Sequence, residues 1–185
     1  HPRMLETLDK LRFDCYRLGK VRENMDEMEP VLRNTDMLSL DINIIRNSDA
    51  PANILSPNGL AGDEACMLSR YAGMSARLSS FGIYGYRPER DRNHLTAKQI
   101  SQMMWYFMDG AAIRNKEALL QDREAFWEFN IVCGDIETVF LKSKKTGRWW
   151  MQMPGKEFLP CAYNDYLMAS NNEIPERWLR HQERM

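Results

Sequence analysis

The sequence predicts an α/β fold: a three-layer α/β/α arrangement around a mostly parallel sheet, followed by a strand-rich and then helical C-terminal extension. Three observations point to it. Helix-like and strand-like patterns alternate over roughly the first hundred residues. The segment "DMLSLDINII" (36–45) reads as a near-continuous apolar strand, the kind buried on both faces of a parallel sheet. From about residue 114 the alternation gives way to strand patterns separated by short turns.

Taken in order, "PRMLETLDKL" (2–11) places Met4, Leu5, Leu8 and Leu11 on one helical face. "RFDCYR" (12–17) alternates as a short strand would. Gly19 opens a second helical stretch over 20–34, where Val21, Met25, Met28 and Leu32 recur at helical spacing and Pro30 implies a kink or a restart. The strand over 36–45 follows, then a loop rich in Asn, Ser, Asp and Pro, "RNSDAPANILSPNG" (46–59). A helix over 62–74 turns Ala65, Met67, Leu68 and Tyr71 inward, and "RLSSFGIYGY" (77–86) is a strand. The amphipathic run over 96–113 closes this half as a helix, N-capped by Thr96 or by the residues before it. Residues 1–113 are thus expected to form the α/β part, with 114–185 packed on it as an appended hairpin and helical tail. In that tail "KKTGR" (144–148) turns between two strands, and short helices flank Pro175. Trp149 and Trp150 are adjacent, so in a strand they face opposite sides. One is expected in the core, the other on the main domain or a neighbouring subunit.

With 185 residues, 44% hydrophobic and 28% charged, the chain is long enough for a real core and ordinary in composition. A net charge of −1 argues against nucleic acid as the main partner. The local exception, "KSKKTGR" (142–148), reads as a solvated hairpin tip. Cys15, Cys66, Cys133 and Cys161 are scattered without C-x-x-C spacing, which favours reduced thiols over zinc or a disulfide framework. No apolar run approaches a membrane span, so a cytoplasmic protein is expected. "MMWYFM" (103–108) reads as core or subunit interface, His94 as a surface-loop histidine, and Gly59 and Gly62 flank a helix start without a phosphate-loop pattern.

Chemistry concentrates where Asp41 ends the apolar strand and Asn43 follows two residues later. On a strand, side chains at i and i+2 point the same way, beyond the carboxyl end of the sheet where α/β folds bind ligands. Two oxygen-bearing side chains there suit a hard divalent ion such as manganese. Equally, Asp41 can cap the next helix or pair with an arginine. Glu64 is read as an acidic first-turn helix charge rather than a base.

"LSLDIN…DAPANILSPNGLAGDEA" resembles the third metal motif of the arginase and agmatinase (ureohydrolase) family, roughly S-x-D-x-D, a D-P or A-P loop, then G-G-L-x-x-x-E. Ser39, Asp41, Pro51, Gly59, Leu60 and Glu64 match. "LSSFGIYGYRP" (78–88) is similar to the family's last sheet strand, which usually ends E-x-N-P. The tail "KTGRWW…NEIPERW" is similar to that of a formimidoylglutamase-like or arginase-like branch found in Bacteroidetes. The resemblance covers essentially the whole chain, but only the C-terminal half of such a protein. It implies hydrolysis of a guanidino, amidino or formimino carbon–nitrogen bond by a hydroxide bridging two Mn2+ ions. Asp41 would then bridge the metals, Asn43 would stand at the second-metal carboxylate, and Glu64 would lie near the substrate. A small nitrogen-rich metabolite, formimidoylglutamate first, and a homo-oligomeric assembly are the partners it implies.

Three departures from the pattern matter. Asn43 is neutral where a carboxylate is usual. Gly85 stands where the family has the glutamate that holds a cationic nitrogen, and neighbouring Arg87 would repel a guanidinium, so arginine and agmatine are not expected substrates. Neither G-G-x-H nor D-x-H-x-D occurs, and the histidines are His1, His94 and His181. The chain alone is therefore not expected to build a two-metal site. Either a missing N-terminal half or sister subunits supply the other ligands, or the chain is a ureohydrolase-like scaffold without activity.

Overall fold

The computed structural model describes residues 3–11 and 13–184. His1, Pro2, Arg12 and Met185 lie outside the described residues, and with them one of the histidines and the first residue of each of the two elements expected at the N-terminus. The chain forms two compact units: Val21–Glu117, and the residues up to Lys20 together with those from Ala118 onward. The first unit ends at Glu117. The N-terminal residues group with those from Ala118 onward.

In the Val21–Glu117 unit the helical run expected over 20–34 is broken. It consists of α2 (Leu18–Glu23), which straddles the boundary between the units, a single 3-10 turn at Met25–Glu27, and α3 (Met28–Leu32); the short α1 (Met4–Lys10) precedes them. Pro30 sits in the first turn of α3, where a missing N–H costs nothing and φ is already helical. It marks a restart. The chain then forms β1 (Met37–Asp41), α4 (Gly62–Gly73), β2 (Ser80–Tyr84) and α5 (Leu95–Arg114). β1 and β2 pair in parallel, Met37 opposite Ser80 and Asp41 opposite Tyr84, with α4 as the crossover that parallel strands need.

Leu40, Ile42, Ile45, Ala65, Cys66 and Met103 form the core of this unit, with Phe81 and Ile83 packed against it. β1 is not buried on both faces as expected. Met37 is 66% exposed, and Ser39 and Asp41 are exposed as well. The apolar run alternates after all, Leu38 and Leu40 toward the core and Met37, Ser39 and Asp41 away from it. Of "MMWYFM" only Met103 is fully buried, whereas Met104, Trp105 and Met108 are exposed.

α4 and α5 approach backbone to backbone through two glycines. A Cβ on Gly73 would run into the carbonyl oxygen of Phe107, and one on Gly110 into that of Arg70. The Arg70 Nε to Asp109 Oδ2 contact, 2.7 Å, lies beside this crossing. The start of α5 is capped by Asp91, whose carboxylate accepts the N–H groups of Thr96 (2.8 Å) and Ala97 (2.9 Å) and the Tyr86 hydroxyl (3.1 Å). The cap thus comes from before Thr96, whose own Oγ1 accepts the N–H of Ala52 at 3.0 Å.

In the other unit, β3 (Phe126–Cys133), β4 (Ile136–Ser143), β5 (Trp149–Gln152) and β6 (Phe158–Cys161) form an antiparallel meander in chain order, followed by α6 (Tyr163–Ser170) and α7 (Glu176–Gln182). "KKTGR" makes the β4–β5 turn, with Gly147 at φ +74°. Lys144, Lys145 and Gly147 are exposed there, but Ser143 and Arg148 are buried, so only the middle of the basic run is a solvated tip. Trp149 and Trp150 face opposite sides of the sheet, and both are buried. Trp149 stacks on Tyr166 and joins Phe140, Met151 and Trp178, while Trp150 packs with Phe126 and Leu141. The second tryptophan therefore finds its partners within its own unit, because 118–125 supply Ala118, Leu120 and Ala125 to that face.

α1 forms, but none of its residues is buried, and 13–17 form no strand. What ties this region down is charge. Asp14 accepts from Arg180 (2.7 Å) and Arg184 (2.5 Å), and Lys20 reaches Glu176 at 3.4 Å. Burial pushes the Asp14 carboxyl upward, but the two guanidinium hydrogen bonds outweigh it and hold the group below its ordinary 3.8. A depressed carboxyl stabilises fully above its unfolded value and loses that contribution as pH falls through the folded one. Amide exchange of 13–17 is expected to accelerate on acidification below that range, and the double variant Arg180→Ala, Arg184→Ala should remove most of this pH dependence.

Candidate functional site at the end of the first strand

β1 stops at Asp41 because Ile42 and Ile45 dive into the core through a single 3-10 turn over Ile42–Ile44, both wholly buried. Asp41 and Asn43 do meet, but through a turn rather than by strand alternation. Asp41 Oδ1 accepts the backbone N–H of Asn43 at 2.8 Å and its side-chain Nδ2–H at 2.7 Å, an Asx-type turn. The other end of the Asn43 amide, Oδ1, accepts the N–H of Ile54 at 3.2 Å. Asn43 therefore bridges the strand end and the loop.

The loop itself is ordered by buried polar contacts. Asn53, 1% exposed, donates to the carbonyls of Ile45 (2.7 Å), Ser56 (2.8 Å) and Asn43 (3.3 Å) and accepts the N–H groups of Leu55 (2.9 Å) and Ser56 (3.2 Å). Asp49 accepts from Arg46 (2.8 Å), Ser48 (2.8 Å) and the N–H of Gly62 (2.7 Å). Its burial is outweighed by those bonds, so its carboxyl lies below the ordinary range. Gly59 lets the returning chain lie on residues 44–46, where a Cβ would meet backbone, and Leu60 N–H bonds the Ile44 carbonyl at 2.7 Å. Neither Asn53 nor Asp49 stands out as functional in the sequence. The signal available for them is an Asx residue within a Pro-bounded loop, which marks a turn rather than a hub.

Glu64 lies in the first turn of α4. Its carboxylate accepts the N–H of Ala61 at 2.6 Å and the Arg22 Nε–H at 3.1 Å, and it makes no hydrogen bond to Asp41 or Asn43. The geometry matches the first-turn helix reading of this residue. Gly85 follows β2 directly, at φ +78°, and closes on the strand end. A Cβ there would lie 2.6 Å from Asp41 Oδ1 and 3.2 Å from Asn43 Nδ2. His94 precedes α5 in the left-handed region, and His181 contacts Glu157 at 2.6 Å. All four cysteines are free, and burial pushes the Cys66 thiol up.

No family model matches the sequence, and no curated protein matches it by sequence. Solved structures do match in fold. A Trypanosoma cruzi formiminoglutamase, oxidized and with Mn2+, superposes with a TM-score of 0.55 at 17% identity, over 62% of this chain and 41% of that one. The formimidoylglutamase of Bacillus subtilis gives 0.52 at 19% identity, over 58% and 36%. The arginase of Bacillus caldovelox gives 0.51 at 20% identity, over 65% and 41%. The α/β fold of this chain is thus of the arginase-like, ureohydrolase type. At these identities the likeness is one of fold, and the chain spans about two fifths of the length of the structures it matches.

A manganese pair needs several hard donors converging on one volume. Among the described residues no group of three His, Cys, Asp or Glu does so. At the strand end the one carboxylate already holds two N–H groups on Oδ1, and the Asn43 oxygen holds the Ile54 N–H. By themselves these residues do not fit a two-manganese centre. No described helix is long and apolar enough to cross a membrane.

Proposed function

We propose that the chain is one portion of a ureohydrolase-type hydrolase acting on a non-peptide C–N bond, with a formimidoylglutamate-, guanidino- or amidino-type substrate. The observation that carries this reading is Asp41: an exposed carboxylate at the carboxyl end of a parallel strand, beside a loop ordered by buried hydrogen bonds, in a fold shared with formiminoglutamases. Metal dependence on Mn2+ belongs to this reading, and it places the remaining ligands outside these 185 residues, in further chain or in sister subunits of a cytoplasmic homo-oligomer. Native mass spectrometry of the full-length protein, reading polypeptides and metal together, tests it. Two manganese ions are expected in the native particle and none in the Asp41→Ala variant. Unchanged metal content in that variant would sink the assignment.

The second reading, a ureohydrolase-like scaffold or interaction protein without activity, is favoured by one observation. The neutral amide of Asn43 and the backbone of Gly85 both close on Asp41 Oδ1. This reading expects a metal-free native particle and no turnover of formimidoylglutamate, arginine or agmatine.

A further inference from the structure

We infer that Asn43 and Gly85 act as one coupled unit that captures the Asp41 carboxylate and, through the Asn43 amide, holds the loop at Ile54. The inference goes beyond the proposed function and concerns the metal-free chain. It rests on the use of one small volume by three residues. Asp41 Oδ1 lies where a side chain at position 85 would begin, 2.6 Å from an ideal Cβ, and Asn43 Nδ2 lies 3.2 Å from the same point. The carboxylate stays there because Asn43 donates to it twice, from backbone and side chain. The Asn43 amide serves both partners at once, donating to Asp41 from one end and accepting the Ile54 N–H at the other. An aspartate at 43 would keep the acceptor but set two carboxylates in contact. A serine or alanine could not span both partners.

Gly85 therefore does more than lack a side chain. Its absence of a Cβ and its left-handed backbone leave room for the captured carboxylate, and a side chain at 85 would be strained and would have to push Asp41 Oδ1 aside. A glutamate introduced at 85 would displace Asp41 before it reached a ligand. Asn43 and Gly85 are thus expected to tolerate change only together. Asp41 Oδ2, which carries no hydrogen bond from the described residues, is the atom left to face outward.

Amide exchange on the full chain tests the coupling, with the ratio of Ile54 to Leu55 rates as readout. The Leu55 N–H bonds to Asn53 and reports any general loosening of the loop, whereas the Ile54 N–H bonds to Asn43. Asn43→Ala is expected to raise the ratio about tenfold through loss of the acceptor. Gly85→Ala should raise it comparably in the native background but add nothing in the Asn43→Ala background, a non-additive cycle. Additive effects, or a Gly85→Ala ratio equal to the native one, would overturn the coupling. Should Gly85→Ala fail to fold, the native chain decides. Its ratio is expected to be the same in millimolar Mn2+ and in chelator. A Mn2+-dependent shift that Asp41→Ala abolishes would make Asn43 a metal ligand and overturn the unit.

Discussion

Gly110→Ala is expected to destabilise the Val21–Glu117 unit by about 3 kcal/mol, at the upper end for overpacking a close contact. The added methyl meets the Arg70 carbonyl oxygen, which is helix backbone and cannot rotate away as a side chain would. Relief requires α4 and α5 to move apart, which loosens Met103 from Leu40 and Cys66 and strains the Arg70–Asp109 ion pair. Gly73→Ala should behave alike, because it strikes the Phe107 carbonyl from the other helix. Chemical unfolding with amide exchange of Met103 as the local probe measures both. A cost below about 0.5 kcal/mol, the range of ordinary surface changes, would mean that the crossing tolerates a side chain.

Asn53→Ala is expected to cost about 3 kcal/mol or more, through unsatisfied groups rather than a cavity. It leaves the Ile45 and Ser56 carbonyls without their buried donor and the Leu55 N–H without its acceptor. Asn53→Asp keeps the acceptor, loses the donors and buries a charge, so it should rescue little. Because the loop holds Asn43 through Ile54, both variants should also release the strand end. Loss of stability without faster Ile54 exchange would show that the loop and Asp41 are independent.

The alternation of helix and strand around β1, α4, β2 and α5 was legible in the sequence because each segment carries its own periodicity. So was the proximity of Asp41 and Asn43, although the geometry behind it is an Asx turn and not strand alternation. Segments without a tertiary partner of the expected kind were misread. "RFDCYR" alternates like a strand, yet 13–17 are held by ion pairs to α7 and form no ladder. Single-residue patterns also said nothing of the approach of Gly85 to Asp41, which depends on how the chain leaves β2. The same holds for Asn53, whose five hydrogen bonds exist only once the loop is closed.

On the ribosome Val21–Glu117 emerges as an uninterrupted stretch and can fold as soon as it is clear, since domains commonly fold as units during synthesis. Asp14 emerges earlier still, but its partner Arg180 follows 166 positions later. Until then Asp14 and Lys20 lack the partners they have in the folded chain, and the four-stranded meander and α6 are made before α7 can receive them. Assembly of these 185 residues therefore runs from Val21–Glu117 outward, and residues 13–20 are among the last to find their place.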